Sequence, residues 1–169
     1  MGLAETVRSA LDGLGLPPWA ILVLLTITPI LEVRASIPLA MLVYGYGWLP
    51  AFALTFLASL LIVPIAYALL IGVEKAARHS ARLAKGLDWV WARTRRKSER
   101  AQRAGKAGLF AIVALPLPGA GTYTACLTAY VLGMEPRKAL PTIVLGAAVE
   151  CAILVVVVLF FQGALDYLA

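Results

Sequence analysis

Four long apolar runs constrain this chain more than any other feature of its sequence. They occupy about residues 19–46, 48–73, 107–133 and 139–165. A helix needs about 20 predominantly apolar residues to cross a bilayer, and the second and fourth runs exceed that length. The sequence therefore predicts an all-α, multi-pass integral membrane protein.

The charged residues are concentrated in one segment between these runs. They make up only 14% of the 169 residues, and eleven of the fifteen Lys and Arg lie between Lys75 and Lys106. A basic stretch flanked by bilayer-length apolar runs is typical of a cytoplasmic loop, so we expect no nucleic-acid partner. Trp89 and Trp91 are interleaved with the basic residues, which favours a basic amphipathic helix on the inner membrane surface over a solvated loop.

Prolines and glycines break the first and third apolar runs. The breaks contain Pro29 and Pro38 in one run, and Pro116, Pro118, Gly119 and Gly121 in the other. A helix cannot continue through such segments, and the apolar pieces beside them are too short to span a bilayer. Each run is therefore predicted to form a re-entrant hairpin with these prolines at its tip, a kinked span being the alternative.

The predicted order of elements is an N-terminal interfacial helix, a hairpin, a transmembrane helix, the basic linker, a second hairpin and a second transmembrane helix. Their predicted bounds are 1–18, 19–47, 48–73, 74–106, 107–134 and 138–166. Pro64 predicts a kink in the first transmembrane helix. Pro50 and Pro141 are placed in first turns, where proline is tolerated.

A hairpin followed by a transmembrane helix thus occurs twice, once on each side of the linker. With the linker in the cytoplasm, the two repeats have opposite orientations, and both termini lie outside the cell membrane. Inverted repeats are typical of secondary transporters, whose substrate sites lie near the bilayer midplane between broken helices. A first run that crosses the membrane would instead place the N-terminus inside and abolish the inverted symmetry.

Three charged residues lie inside apolar runs: Glu32 and Arg34 in the first break, and Glu150 in the last run. Each would cost at least about 2.5–3.5 kcal/mol at the bilayer centre, so each needs a partner or water. Side chains two positions apart on a helix do not face each other. The broken backbone is nevertheless expected to point Glu32 and Arg34 into one cavity.

Arg34 is the predicted partner of Glu150, and the three residues are predicted to form a substrate and proton site. Burial and a nearby arginine act in opposite directions on the protonation of a carboxylate, and a carboxylate in that balance can exchange a proton. The alternatives are a structural ion pair that locks the hairpin and a neutral, hydrogen-bonded Glu150.

The second break offers backbone and hydroxyl groups instead of charge. Gly119 and Gly121 expose amides, and Thr122 and Thr124 supply hydroxyls where the second arm of the hairpin begins. Because a helix N-terminus favours an anion, this loop is predicted to help bind a phosphate or carboxylate beside Arg34. Alternatively, the glycines only permit a tight turn.

Sequence signatures of catalysis are missing. The sequence contains no nucleophile arrangement, dinucleotide fingerprint or P-loop, and Cys126 and Cys151 lie in apolar surroundings without metal-ligand spacing. We therefore expect no enzymatic activity, no cofactor and no metal site.

Two segments carry a family resemblance. TPILEVRASIP (Thr28–Pro38) and LPLPGAGTYTACL (Leu115–Leu127) resemble the two signature elements of the small multidrug export protein family, although Ala120 departs from the second element. The first segment is also similar to the first signature of the DedA (SNARE-associated, VTT) membrane proteins, with Glu32, Arg34 and Pro38 at the matching positions.

The DedA resemblance implies two facing re-entrant hairpins and proton-coupled movement of polyprenyl phosphates or other phospholipids. Together with the residues above, it predicts a small secondary transporter that exchanges protons, acts as a flippase for an anionic lipid and forms a homodimer. The alternatives are an exporter of cationic amphipathic drugs and a membrane scaffold that transports nothing.

Overall fold

Helices make up all the regular structure in the residues that the computed structural model describes, which are 3–13, 15–77, 79, 85–92, 105–117 and 119–168. The elements are α1 (Leu3–Asp12), α2 (Pro18–Ile27), α3 (Glu32–Pro38), a π-helical turn (Leu39–Val43), α4 (Trp48–Leu60), α5 (Ile62–Ala77), α6 (85–92), α7 (Lys106–Ala114), α8 (Thr122–Val131) and α9 (Pro136–Leu168). The predicted all-α class is confirmed for these residues. Much of the predicted linker, including 80–84 and 93–104, lies outside them, as does Pro118.

The chain divides into two compact units. The first unit comprises Met1–Ser59 and Ala148–Ala169, and its described residues include α1 to α4 and the second part of α9. The second unit comprises Leu60–Ala147, and its described residues include α5 to α8 and the first part of α9.

Two helical stretches are long and apolar enough to cross a membrane. Trp48–Ala77 has 30 residues and Pro136–Ala164 has 29. Only 28% and 39% of the most apolar window of each stretch is buried within the protein. Core helices of soluble proteins bury most of such side chains, whereas helices in a bilayer turn them toward lipid.

Two prolines shape these stretches. The first stretch is interrupted at Leu61, because Pro64 has no N–H to donate to the carbonyl of Leu60 and its ring crowds that carbonyl. The interruption lies one turn before Pro64, and the kink itself stays a prediction. Pro141 was expected in a first turn, but α9 begins at Pro136, so Pro141 lies inside the helix.

The first helical pair, α2 and α3, has a shorter break than the sequence suggested. Thr28 is extended, with ψ 126°, because the following Pro29 disfavours helical backbone before it, and α2 ends there. Helix α3 then begins at Glu32, so the expectation of irregular backbone from Pro29 to Pro38 was wrong. Pro38 ends α3 and leads into the π-helical turn, in which the Tyr44 N–H bonds the Leu39 carbonyl at 3.0 Å.

The second helical pair, α7 and α8, is built in the same way. Leu115 is extended, with ψ 120°, before Pro116, and α8 begins after Gly121. Each pair ends at a glycine in the left-handed region, Gly45 with φ 68° and Gly133 with φ 65°. The succession of elements thus repeats, whereas the inverted orientation and the re-entrant placement of the pairs stay predictions.

Both units have apolar interiors built from small and branched side chains. The core of the first unit is formed by Leu22, Val33, Ile37, Ala40, Met41, Ala51, Cys151, Val155 and Val158. In the second unit, Gly146 of α9 lies so close to α7 that an added Cβ would be 2.6 Å from the Cβ of Val113.

Candidate functional site

A buried ion pair in the first unit joins α3 to α9. The Nη2 atom of Arg34 lies 3.0 Å from Oε1 of Glu150, and its Nε–H donates to the same oxygen at 3.1 Å. The Glu150 side chain is only 1% exposed, whereas that of Arg34 is 22% exposed. The predicted pairing of Arg34 with Glu150 is therefore confirmed, and the guanidinium is its more accessible member.

Glu32 adds a second buried carboxylate to this region. Its side chain is 4% exposed, and its charge acts on Glu150 together with that of Arg34. Its backbone has φ 46°, a left-handed conformation that costs a non-glycine residue about 1–2 kcal/mol. Such conformations concentrate at functional sites, where the surrounding structure enforces them.

Buried hydroxyl groups hold the first turn of α3 in place. The Thr26 hydroxyl of α2 donates to the Ser36 hydroxyl at 2.8 Å, and Ser36 donates to the Glu32 carbonyl at 3.3 Å. Both hydroxyl-bearing side chains are fully buried. The backbone that carries Glu32 and Arg34 is thus tied to α2 by side-chain hydrogen bonds as well as by apolar packing.

The charge cluster of Glu32, Arg34 and Glu150 has two carboxylates for one guanidinium, hence a formal charge of −1 when all three are ionised. The Oε2 atom of Glu150 is buried and has no hydrogen-bond partner in the described part of the chain. An oxygen in this position can take up a proton, and a protonated Glu150 would hold Arg34 less strongly.

The predicted residues of the second break lie in the other unit. Gly119 and Gly121 both have positive φ, at 75° and 142°, and Gly121 is the N-cap of α8. Thr122 is buried, whereas the Thr124 hydroxyl donates back to the Gly119 carbonyl at 3.1 Å. These contacts give the glycines a turn-forming role, and binding of an anion at this loop stays a prediction.

The proline positions fall into two groups. Pro29 lies in the turn between α2 and α3, and Pro116 lies in the loop between α7 and α8. Pro38 instead lies at the far end of α3, and Pro118 is outside the described residues.

A polar cluster that the sequence reasoning missed lies between α5 and α8. The Tyr130 hydroxyl donates to the carboxylate of Glu74, and the Tyr67 ring packs edge-on against Tyr130 with centroids 6.2 Å apart. Glu74 was assigned to the basic linker, but it belongs to α5. The position of Glu74 within an apolar helix was the sequence signal that it needs a partner. The partner, Tyr130, lies 56 positions away in the sequence and could not be identified from it.

Groups of three or more residues suited to bind a metal do not occur in the part of the chain that the structure describes. Cys126 and Cys151 are both buried, on α8 and α9.

Two membrane-length helices and a buried charge cluster define a helical integral membrane protein. A model of the family described as "Putative small multi-drug export protein" matches residues 32–153, and this range includes Glu32, Arg34 and Glu150. The chain belongs to this family, whose description indicates an export protein, a class that is generally not enzymatic. Comparison with curated proteins and with solved structures finds no match.

Proposed function

We propose that this protein is a proton-coupled secondary transporter and that the charge cluster of Glu32, Arg34 and Glu150 binds its substrate. The observation that carries the proposal is the ion pair between the more accessible Arg34 and a single carboxylate oxygen of buried Glu150. The substrate is an anionic amphiphile, such as a polyprenyl-phosphate-like lipid, because a guanidinium binds phosphate or carboxylate through two parallel hydrogen bonds.

Proton uptake and anion binding are coupled through Glu150. Protonation of Glu150 removes its charge and frees the guanidinium of Arg34 for the substrate head group. A cluster that has gained one proton and one monovalent anion has the same net charge as the empty cluster. The bilayer interior penalises net charge, so the proton and the anion are favoured to move together through the cluster.

The family description favours a second candidate, drug export, and we take the drug to be a cationic amphiphile. The excess of one carboxylate in the cluster is consistent with it, since Glu32 and Glu150 would attract a cation and protons would compete for the same oxygens. In that case Arg34 is not needed for binding. The two candidates therefore differ in the effect of replacing Arg34.

Reconstituted transport distinguishes them. Proteoliposomes are tested for movement of a polyprenyl phosphate and of an organic cation, with and without a proton gradient. We expect R34Q to lower polyprenyl-phosphate transport at least about tenfold, and E150Q to remove its dependence on the gradient. Undiminished lipid transport by R34Q would refute the proposal, and cation transport by the same variant would support drug export.

Loss of folding must be separated from loss of transport. R34Q leaves the buried Glu150 carboxylate without this cation, which costs about 3–5 kcal/mol, whereas R34Q/E150Q removes both members of the pair and should be less destabilising than R34Q. A folded but inactive double variant supports transport through the cluster. A double variant that regains full cellular activity along with its fold would instead indicate a scaffold.

A further inference from the structure

An apolar groove runs along one face of α5 in the second unit. Its volume is about 470 Å³, and its lining residues are Ile65, Ala68, Leu69, Gly72, Val73 and Ala76. These residues recur at helical spacing over about three turns. None of them belongs to the charge cluster of the proposed transport function. We call this feature the α5 groove.

Gly72 leaves the floor of the α5 groove open. A Cβ added to Gly72 would meet no atom within 4 Å, and the flanking side chains of Leu69 and Val73 are 54% and 46% exposed. Glycine is disfavoured inside helices, yet no packing among the described residues requires one here. The groove is therefore accessible to a molecule from outside the chain.

A smaller depression adjoins the α5 groove at Leu69. Its volume is about 260 Å³, it lies between α5 and α8, and its lining residues are Ala66, Leu69, Leu70, Tyr123, Thr124 and Leu127. Because Leu69 lines both spaces, its side chain separates them. Two flexible apolar chains can lie on the two sides of this leucine.

The length of the α5 groove matches the depth of one membrane leaflet. Residues 65–76 extend for about 16 Å as an α-helix, and half of the hydrocarbon thickness is about 15 Å. Helix α5 ends at Ala77, where the transmembrane stretch also ends. The groove therefore runs from the membrane surface next to the basic linker to about the bilayer midplane.

Lys75 places a positive charge at the linker end of the α5 groove. It follows Ala68 by seven positions and Gly72 by three, so it lies on the same face of α5. Lys75 is exposed and forms no ion pair within the described residues, while the neighbouring Glu74 accepts the hydrogen bond from Tyr130. A lysine near a helix end extends its ammonium group to the level of the lipid head groups.

This charge favours a lipid over a second copy of the chain. Two α5 helices that packed on this face around a twofold axis along the membrane normal would bring their Lys75 side chains to the same level, where like charges repel. An anionic head group supplies the opposite charge. Under the predicted topology the linker faces the inner leaflet, whose surface is negatively charged.

We propose that the α5 groove binds a phospholipid with two acyl chains and a net negative head group. The phosphate pairs with Lys75, one acyl chain lies along the α5 groove, and the other reaches the depression beside Leu69. The lipid belongs to the leaflet next to the basic linker. The site is separate from the proposed transport site and does not depend on that proposal.

Native mass spectrometry of the full chain, released from a neutral detergent, measures this binding. The probes are dioleoylphosphatidylglycerol, dioleoylphosphatidylcholine and glycerol 3-phosphate. We expect the wild type to bind phosphatidylglycerol about fivefold more tightly than phosphatidylcholine, and glycerol 3-phosphate at least about tenfold more weakly than either lipid. K75Q should remove the preference between the lipids, and G72L, which fills the floor of the groove, should weaken binding of both about tenfold.

Two matched variants serve as controls. G163L adds the same side chain at a glycine of α9 that also has open space around it, and K138Q removes an exposed lysine outside the groove. Both should bind lipid as the wild type does. R34Q should also bind normally, so that its loss of transport leaves this proposal intact.

The variants also separate lipid binding from folding and from self-association. Leucine is favourable in helices, so G72L and G163L should unfold at the wild-type temperature or above it. Wild-type lipid binding by G72L, an unchanged lipid preference in K75Q, or equal losses in G72L and G163L would overturn the proposal. Conversion of an oligomer to a monomer by G72L, with lipid binding unchanged, would assign the groove to a second copy instead.

Discussion

At the scale of single residues, the most unusual backbone and the most buried charges occur together on and around α3. Glu32 has φ 46°, and Arg34, two positions later, reaches Glu150 of α9. A left-handed residue at the start of a short helix turns the chain sharply after the break at residues 28–31. The conformation of Glu32 and the placement of Arg34 are thus parts of the same turn.

A pair of amide variants tests whether Glu32 is strained. Asparagine tolerates left-handed backbone better than glutamine, and both remove the charge. We expect E32N to be more stable than E32Q by about 1 kcal/mol in detergent unfolding experiments, while both lose transport under the proposed function. An E32Q variant at least as stable as E32N would show that this backbone conformation is not costly.

At the scale of helices, prolines and glycines determine where the elements end. The sequence predicted that the helices would break at these residues. Thr28 and Leu115 end helices because each precedes a proline, and Gly45 and Gly133 end the second arms. The helicity of Glu32–Pro38 was not anticipated. The helix tolerates Pro38 because a proline at the end of a short helix removes only one backbone hydrogen bond. The left-handed Glu32 carries no sequence signal, since glutamate rarely adopts that conformation.

Close contact between α7 and α9 depends on Gly146. G146A would place a methyl group 2.6 Å from the Cβ of Val113, and overpacking of this kind costs about 1–3 kcal/mol. Gly163 on the same helix has open space around it, so G163A should be neutral or stabilising by up to about 1 kcal/mol. Thermal unfolding in detergent compares the two variants, and equal midpoints would contradict the importance of this contact.

At the scale of the whole molecule, membrane topology decides whether the repeated succession of elements is an inverted repeat. The positive-inside rule places the basic linker in the cytoplasm and, with re-entrant pairs, both termini outside. We propose this arrangement for the cell membrane, with two copies of the chain forming the transporter. Helix α6, at residues 85–92, would lie on the inner surface.

Cysteine labelling tests this topology. Cys126 and Cys151 are fully buried, so they should react little with an impermeant maleimide. We expect E5C and D166C to be labelled on intact cells, and K85C only after permeabilisation. Labelling of E5C only after permeabilisation would place the N-terminus inside and refute the inverted repeat.

The sequence predicted more of the charge cluster than of the second unit, for a physical reason. Charges inside apolar runs must find partners, and with so few of them Arg34 and Glu150 were natural candidates. Tyrosines do not need a charged partner, since their rings occur both in protein cores and at membrane surfaces. The contact of Tyr67 with Tyr130 therefore depends on packing that only the fold specifies.

The separation of Arg34 and Glu150 along the chain bears on biosynthesis. The two residues are 116 positions apart, and at about 5–20 residues per second a ribosome needs about 6–23 s to cover that distance. During this interval α3 has been synthesised, while the carboxylate that pairs with its Arg34 has not been made. Arg34 therefore lacks this partner until the last helix is synthesised, and we expect truncation before Glu150 to leave a chain that quality-control proteases degrade.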